Sequence, residues 1–332
     1  MAPLDTSARI WEPAPRICGH LGNPLKQKVG LKEGLSHFLA EPRLENLTDG
    51  AGRRWLSVPG HEAGVIPSYE NRNRRWRLSR QGNAEFYEET ATLVFSYLLD
   101  RLQPETVFDI GAWQGYFSLL AASHIAARPT VFGFDMRPAG IEATVQRVQE
   151  LGWADRVHPR LCGLSDTHIG ATRVWAARMK MFESKPREEE YREAVWRRLK
   201  FFLKGDARRG LREVDLTVTT LDRFCTDHGV APRLMKIDVD GYEGKILRGA
   251  GHLLRTAKPT ILLELHRDEA QRDGITRTKV ADILFDAGYE ALFLTDHHAR
   301  ERCQLVPVQR GHPLLTRQET DMLIFYPSDL AS

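Results

Sequence analysis

From Glu85 to the end of the chain, short apolar runs alternate with stretches of helical periodicity, and this alternation restricts the fold most. The helical spacing over 85–103 stops at Pro104, and Thr106–Ile110 then has the pattern of a buried strand. Six more strands are predicted, over 130–135, 156–164, 233–239, 259–266, 289–294 and 321–327. Helices are predicted between most of them, over 115–127, 139–151, 221–228, 244–256 and 278–287. Strands separated by helices of this length form parallel βαβ units.

The predicted fold is therefore α/β, with a doubly wound, Rossmann-like and mostly parallel sheet of about seven strands. The last two strands have no helix between them, which predicts that the sheet closes with an antiparallel strand. Pro159 predicts that 156–164 is an edge strand or carries a bulge, because proline donates no hydrogen bond to a neighbouring strand. Ligands of such sheets bind beyond the carboxyl ends of the strands.

Two segments depart from the alternation. Residues 1–83 are rich in proline, glycine and arginine, which predicts an irregular basic N-terminal extension before one domain over 84–330. Within that domain, 176–209 reads as a charged amphipathic helix between two strands, and we interpret it as a helical insertion or lid on a β-hairpin. Its apolar stripe fits docking on the protein's own body, closure over a site, or a homodimer surface.

The composition is that of a soluble globular protein of 332 residues. No apolar run reaches 18 residues, so no membrane span is expected, and the first 20 residues lack the apolar core of a secretory signal. The four cysteines have no metal-ligand spacing: Cys18, Cys162, Cys225 and Cys303. These features predict a reduced, cytoplasmic protein.

Residues 71–80 contain no acid and five arginines: Arg72, Arg74, Arg75, Arg77 and Arg80. Such a run suits phosphate groups, either of a nucleic acid or of a phosphate-bearing substrate. A solvated loop that balances the acids at Glu85, Glu88 and Glu89 explains the same pattern.

The loop after the first strand of the sheet, in TVFDIGAWQGYFS, departs from the dinucleotide-binding pattern of three glycines. Counted from Gly111, the second and third glycine positions hold Trp113 and Tyr116, and this bulk argues against a pyrophosphate. The spacing is instead Asp109, Gly111 and Gly115, which still brings backbone N–H groups close to a ligand. Asp109 suggests that part of this ligand is cationic.

Asp135 ends the next strand, 20 residues after Gly115, where an acid can bind both hydroxyls of a ribose. A nucleoside with a cationic arm and no phosphate fits both ends of such a site, and S-adenosylmethionine has that form. Two simpler interpretations stay open: Asp109 caps the turn that follows it, and Asp135 is a surface carboxylate paired with Arg137.

The segment MKIDVDGYEGKILRGAGHLLRTAKPTILLELH carries a block of spaced residues: Lys236, Ile237, Asp238, Gly241, Glu243, Leu247, Arg248, Gly249, Ala250 and Glu264. With the loop FDIGAWQGYFS, this block resembles the FkbM-type family of S-adenosylmethionine-dependent methyltransferases over roughly 105–266. The chain departs from the family after Asp135, where Met136 and Arg137 precede Pro138 instead of a glutamate followed directly by proline.

The resemblance implies a class I methyltransferase fold and an O-methyltransferase (EC 2.1.1) that acts on a hydroxyl of a sugar, a glycan or a natural product. It implies these cofactor-binding residues: Asp109, Gly111, Ala112, Gly115, Tyr116, Asp135, Met136, Gly163, Asp166 and Asp238. The acceptor is not implied, because the N-terminal extension and the insertion lie outside the resemblance.

A hydroxyl acceptor reacts faster when a base takes its proton. His266 is the candidate base because it ends a strand next to Glu264, although it could simply pair with Asp268 or Glu269. Asp238 is the rival base or orients the acceptor, and Glu264 is the third catalytic candidate. A metal ion is not favoured, because lysines flank the acids that could gather one: Asp238, Asp240, Glu243 and Glu264.

Three other functions remain open at this level. The arginine run would suit an RNA methyltransferase, in which binding weakens steeply with salt. A nicotinamide-dependent oxidoreductase shares the fold, but the glycine pattern argues against it. A binding module without catalysis would leave the polar strand ends unexplained.

Overall fold

A computed structural model describes residues 29–40, 44–68, 86, 88–177, 180–182, 212–271 and 274–330. The arginine run and nearly all of the insertion lie outside these residues, as does Cys18, so their predictions stay as stated. The helices are α1 (Leu31–Ala40), α2 (Glu89–Leu102), α3 (Tyr116–Ala122), α4 (Pro138–Leu151), α5 (Leu221–His228), α6 (Glu243–Arg248), α7 (Gly251–Thr256) and α8 (Arg277–Asp286).

The strands form two sheets. A small sheet contains β1 (Glu45–Thr48), β2 (Arg54–Ser57) and β3 (Ile66–Pro67). The central sheet contains β4 (Thr106–Ile110), β5 (Thr130–Asp135), β6 (Val157–Leu164), β7 (Gly170–Ala177), β8 (Lys180–Phe182), β9 (Arg212–Thr219), β10 (Leu234–Ile237), β11 (Thr260–Leu265), β12 (Tyr289–Leu294), β13 (Leu305–Val308) and β14 (Asp321–Pro327).

The central sheet has the predicted doubly wound α/β topology. Its middle runs in the order β6-β5-β4-β10-β11-β14-β12, and β14 is antiparallel to both of its neighbours. The pairs from β6 to β11 are parallel, so the sheet is mostly parallel as predicted. Within the described residues it is wider than the predicted seven strands and contains eleven, because β13 extends one edge and β9, β7 and β8 extend the other.

The extension beyond β6 is the hairpin that flanks the insertion. Strands β7 and β9 pair antiparallel, and β9 joins the sheet by pairing in parallel with Cys162–Leu164. The first part of β6 pairs only with β5, over Val157–Leu161, and Pro159 lies in that part. Proline is therefore placed where the strand has a single neighbour, which agrees with the predicted edge position.

The N-terminal extension is more ordered than predicted, because its described part contains α1 and the small sheet. The buried positions of α1 are Leu31, Leu35 and Leu39, and they pack into the same apolar core as α2 and α3. Helix α3 is shorter than the predicted 115–127 because the chain that follows it pairs with the extension instead. Glu62 N donates to the Ser123 carbonyl at 2.9 Å.

The two faces of the central sheet bury separate apolar cores. On β4, Val107 belongs to the core shared with α1, α2 and α3, whereas Phe108 and Ile110 belong to the opposite core. On the Val107 face, Asp109 is aligned in register with Lys236 of β10. Two charged residues thus stand side by side near the carboxyl ends of these strands. Across the described part of the chain, no helix is both long enough and apolar enough to cross a bilayer.

Candidate functional site

The loop after β4 lies tightly against the ends of two neighbouring strands. The N–H groups of Gly111 and Ala112 both donate to the Phe134 carbonyl, at 2.9 and 3.0 Å. Gly111 has φ of +84°, and a Cβ there would collide with the backbone oxygen of Asp238. Gly115, at φ of +77°, precedes α3. Both glycines are therefore required by the backbone conformation.

Asp135 lies at the end of β5 and is held by two backbone N–H groups. Trp113 N donates to its Oδ2 at 2.8 Å, and Arg137 N donates to its Oδ1 at 2.7 Å. Trp113 adopts φ of +49° in doing so, an uncommon conformation for a bulky residue. The carboxylate is buried, so it is not the surface group that the simpler interpretation assumed.

The side chain of Arg137 fills the remaining positions on Asp135. Its Nε donates to Oδ1 at 2.8 Å and its Nη2 to Oδ2 at 2.7 Å, while the guanidinium carbon lies 4.4 Å from the centre of the Trp113 ring. Burial opposes the charge of Arg137, but its bonds to Asp135 and the nearby acids raise its pKa. The predicted pairing of Asp135 with Arg137 is therefore present, at the position expected to bind ribose.

Two predicted cofactor residues lie beneath the loop rather than on it. Asp109 is buried and accepts a hydrogen bond from Ser118 Oγ at 2.6 Å, and burial raises the pKa of its carboxyl. Tyr116 packs in the apolar core with its hydroxyl 2.8 Å from Thr92 Oγ1. Tyr116 therefore contributes to the packing between α2 and α3.

Three further predicted cofactor residues follow β5 or lie in and after β6: Met136, Gly163 and Asp166. Gly163 lies beside Met136, since a Cβ built on it would be 3.4 Å from the Met136 sulfur. The Asp166 side chain is directed towards Arg248, whose Nη2 lies 3.0 Å from its Oδ2. The structure thus brings Met136 and Gly163 close to Asp135, but commits Asp166 to an ion pair.

A buried charged cluster lies where β10 and β11 end. Lys236 Nζ is 2.8 Å from Asp238 Oδ2 and 4.6 Å from the centre of the Phe117 ring. Burial opposes its charge, but the surrounding carboxylates, Asp238 and Asp109 first, raise its pKa above the usual range. Lys236 is therefore charged and balances the acids, rather than serving only the packing that its position in a strand suggests.

The two carboxyl groups of this cluster differ in protonation. Burial opposes ionisation of Asp238, yet Lys236 lowers its pKa to about 2. Burial and the charges of Asp238 and Glu88 raise the pKa of Glu264 well above its usual range. These opposite shifts favour the proton on Glu264 and the charge on Asp238, so Glu264 is the donor of the hydrogen bond between them.

His266 follows β11 and is held by a residue that the sequence did not single out for it. Its Nδ1 lies 2.7 Å from Glu243 Oε1, and its Nε2 lies 3.7 Å from the exposed Asp240 carboxylate. The expected partners Asp268 and Glu269 are not used. Burial opposes the charge of His266, but Glu243 first, then Asp238 and Asp240, raise its pKa.

Two other residues were missed as parts of this cluster. Glu88, just before α2, is buried and has φ of +48°. Its negative charge raises the pKa of Lys236 and that of Glu264. His297, in the loop after β12, is buried with Nε2 3.9 Å from Glu264 Oε1. No local pattern marks either residue, because both are brought in by elements distant in sequence. Glu243, by contrast, belongs to the motif block.

Asp238, Glu264 and His266 each present a possible metal-binding atom, and these atoms lie within 4.8 Å of one another. The spacing is compatible with a cation. Lys236, however, already supplies a positive charge to the same carboxylates, so the spacing does not by itself indicate a metal.

Two groups of residues, each suited to a different chemical task, thus lie along the same edge of the sheet. Near β5, a buried carboxylate and a glycine loop suit a nucleoside. Near β10 and β11, an imidazole with one nitrogen held by a carboxylate suits removal of a proton.

Comparison with known proteins gives a match to one family model, the methyltransferase FkbM domain, over residues 109–291, which is more than half of the chain. No curated protein sequence matches.

Similar solved structures include a methyltransferase FkbM from Methylobacillus flagellatus, with 13% identity and a TM-score of 0.39. That match covers 71% of this chain but only 54% of the other, so this chain spans about half of that protein. An O-methyltransferase from Bacillus cereus in complex with SAH has 10% identity and a TM-score of 0.37, and the match covers 75% and 84% of the two chains. A precorrin-6y C5,15-methyltransferase from Geobacter metallireducens has 12% identity and a TM-score of 0.35, with 71% and 87% covered.

Proposed function

The chain belongs to the FkbM methyltransferase family, and we propose that it methylates a hydroxyl of a sugar or natural-product acceptor with S-adenosylmethionine. The proposal that the methyl group goes to an oxygen rests on one contact: His266 Nδ1 lies 2.7 Å from Glu243. This contact leaves the other ring nitrogen of His266 facing Asp238 and Asp240. A hydroxyl needs to lose a proton during methylation, and this imidazole is a base at the edge where ligands of the fold bind.

The residues near β5 fit the cofactor. Asp135 would bind the ribose hydroxyls once the Arg137 side chain moves away, because two hydroxyls replace two guanidinium donors. The backbone of the loop from Gly111 to Gly115 would border the amino-acid arm, and Met136 with Gly163 would border the base. S-adenosylmethionine supplies an electrophilic methyl group whose leaving group is already in place.

The residues near β10 and β11 have roles in accepting the proton. His266 takes it at Nε2, and the ionised Asp238 lies close enough to orient the acceptor hydroxyl. Glu264, whose pKa is raised by burial and by Asp238, acts as a hydrogen-bond donor to Asp238 rather than as a second base. Lys236 keeps Asp238 ionised.

Cofactor binding is tested by calorimetry with S-adenosylhomocysteine on the wild-type protein and on Asp135→Ala. Two hydrogen bonds to a charged group are lost, so we expect affinity to fall at least about tenfold. Asp215→Ala is the control, because Asp215 is an exposed partner of Arg173 on the outer hairpin. Equal affinities of the wild-type protein and Asp135→Ala would contradict the ribose assignment.

Acceptor chemistry is tested by methyl transfer to sugar and natural-product hydroxyls, with RNA as a second class of acceptor. For a base role, His266→Asn should lower kcat by roughly 10²–10⁴-fold while S-adenosylhomocysteine affinity stays unchanged. Methylation of RNA, with binding that weakens steeply as salt rises, would favour the nucleic-acid alternative instead.

A metal-assisted reaction is tested by chelation. We expect methyl transfer to persist after treatment with EDTA, because Lys236 already balances Asp238. If EDTA abolished activity and Mg²⁺ or Mn²⁺ restored it, a cation rather than His266 would be the group that activates the acceptor.

A further inference from the structure

Glu243 begins α6 with a fully buried carboxylate, which bonds the turn before α6 and the segment that follows β11. Its Oε1 accepts from Gly241 N at 3.0 Å and lies 2.7 Å from His266 Nδ1. Its Oε2 accepts from Gln271 Nε2 at 3.2 Å. Among the residues that the structure describes, its one ion-pair partner is His266. A buried carboxylate with no lysine or arginine beside it requires strong hydrogen-bond donors.

This geometry determines which ring nitrogen of His266 carries the proton. A carboxylate accepts hydrogen bonds, so His266 Nδ1 carries a hydrogen and donates it to Glu243. In the neutral imidazole the lone pair is then on Nε2. Gln271 Nε2 also donates to the His266 carbonyl at 3.2 Å, so the side chain that contacts Glu243 also holds the backbone of the histidine.

We propose that Glu243 is a positioning residue, which holds His266 with Nε2 towards the acceptor hydroxyl and stabilises the imidazolium formed there. This inference rests on the proposed methyl transfer to oxygen. In that step the acceptor O–H bond breaks and its proton passes to Nε2. The acceptor oxygen bonds to the methyl carbon as the carbon–sulfur bond breaks, and that electron pair goes to sulfur.

The titratable groups around His266 lie in three parts of the chain. Glu243 lies on α6, Asp238 and Asp240 lie between β10 and α6, and Glu264 lies on β11. Asp238 is balanced by Lys236, and Asp240 is exposed at 3.7 Å. Glu243 is therefore the buried carboxylate in contact with the ring, and no lysine or arginine of the described residues pairs with it. Its electrostatic attraction to the imidazolium is the strongest of the group.

The first test uses the full chain without cofactor. In ¹⁵N NMR titrations of the histidine rings, assigned with His266→Asn, the wild type should show His266 protonated at Nδ1 in its neutral form. Glu243→Gln keeps the shape and removes the charge. It should lower the pKa of His266, and it should mix the two tautomers because an amide can either accept or donate.

The second test measures kcat against pH. Glu243→Gln should lower kcat at least about tenfold, move its acidic limb to lower pH and leave the KM for the cofactor unchanged. If Glu243 acts through His266, the double variant Glu243→Gln/His266→Asn should be no slower than His266→Asn alone. Glu150→Gln, on an exposed glutamate paired with Arg147, is the matched control.

The outcomes separate this inference from the proposed function. A His266→Asn enzyme with the wild-type rate would reject the base. A slow His266→Asn enzyme together with an unchanged tautomer and pH limb in Glu243→Gln would overturn the positioning role alone. A wild-type protein that methylates no hydroxyl would refute the proposed function, while NMR would still decide whether Glu243 sets the tautomer of His266.

Discussion

The guanidinium of Arg137 bonds both carboxylate oxygens of Asp135, two residues earlier, with Nε–Oδ1 and Nη2–Oδ2 distances of 2.8 and 2.7 Å. Backbone N–H groups already hold the same two oxygens from the other side. A carboxylate has about four acceptor positions, so all of them are filled. In the cofactor site proposed above, a ribose would bind Asp135 by replacing the guanidinium, and Arg137 would then compete with the cofactor.

Removing this competitor should tighten cofactor binding. Arg137→Ala leaves the backbone bonds that orient Asp135, so we expect S-adenosylhomocysteine to bind several-fold more tightly, a gain on the order of 1 kcal/mol in calorimetry. Arg173→Ala, which breaks the exposed pair with Asp215 on the outer hairpin, serves as the control. Weaker binding by Arg137→Ala would mean that Arg137 contacts the cofactor directly.

Gly111 should tolerate a side chain less well than a glycine of the same backbone conformation elsewhere. Gly288 has φ of +82° and open space where a Cβ would stand, whereas at Gly111, with φ of +84°, a Cβ collides with the Asp238 backbone. Gly288→Ala should cost about 1–2 kcal/mol of unfolding free energy from its conformation alone. Gly111→Ala should cost a further ~1–3 kcal/mol for the forced shift. Chemical denaturation of both variants measures the difference, and equal losses would exclude the close contact.

Lys236 should be required for stability because it is the positive charge of the buried cluster. Lys236→Met removes this charge and leaves Asp238 without its ion-pair partner, so unfolding free energy should fall by about 3–5 kcal/mol. The comparison is Arg223→Met, which breaks an exposed pair with Asp227 and should cost no more than ~1 kcal/mol. A similar small loss in both variants would show that the cluster is solvated.

A buried histidine pair between the N-terminal extension and α3 should make the protein sensitive to acid. His61 Nδ1 is 2.9 Å from Ser123 Oγ, and the His61 and His124 rings meet edge to face at 4.9 Å. Burial first, and then His124, lower the pKa of His61 well below its usual value. The unfolded chain therefore binds the proton more readily, and stability should fall as pH drops below about 6.5.

Denaturation at several pH values measures this dependence. His61→Gln should be less stable than the wild type at pH 8 but should lose less of its stability between pH 6.5 and 5. His252→Gln, on an exposed helix position, should keep the wild-type dependence. An unchanged slope in His61→Gln would assign the acid sensitivity to another group.

The local sequence pattern was enough to predict most of the strands and helices of the central sheet and their order along the chain. The apolar run of β4 and the glycines after it predicted a buried strand and a tight loop, because strand periodicity and positive φ are properties of short segments. The alternation of strands and helices predicted a parallel sheet with its polar residues at one edge. The same reasoning placed Asp135, Asp238 and His266 along that edge, and the motif block identified the family.

Tertiary structure decided the partners of those residues. Glu88 and His297 join Lys236 and Glu264 only because α2 and the loop after β12 pack over the strand ends, and sequence spacing carries no information about such contacts. Likewise, His266 forms its hydrogen bond with Glu243 and not with Asp268 or Glu269, which are nearer in sequence. Burial also set the order of the two pKa values: that of Glu264 is raised and that of Asp238 is lowered, because Lys236 lies closest to Asp238 and a low-dielectric cluster disfavours two neighbouring charged carboxylates.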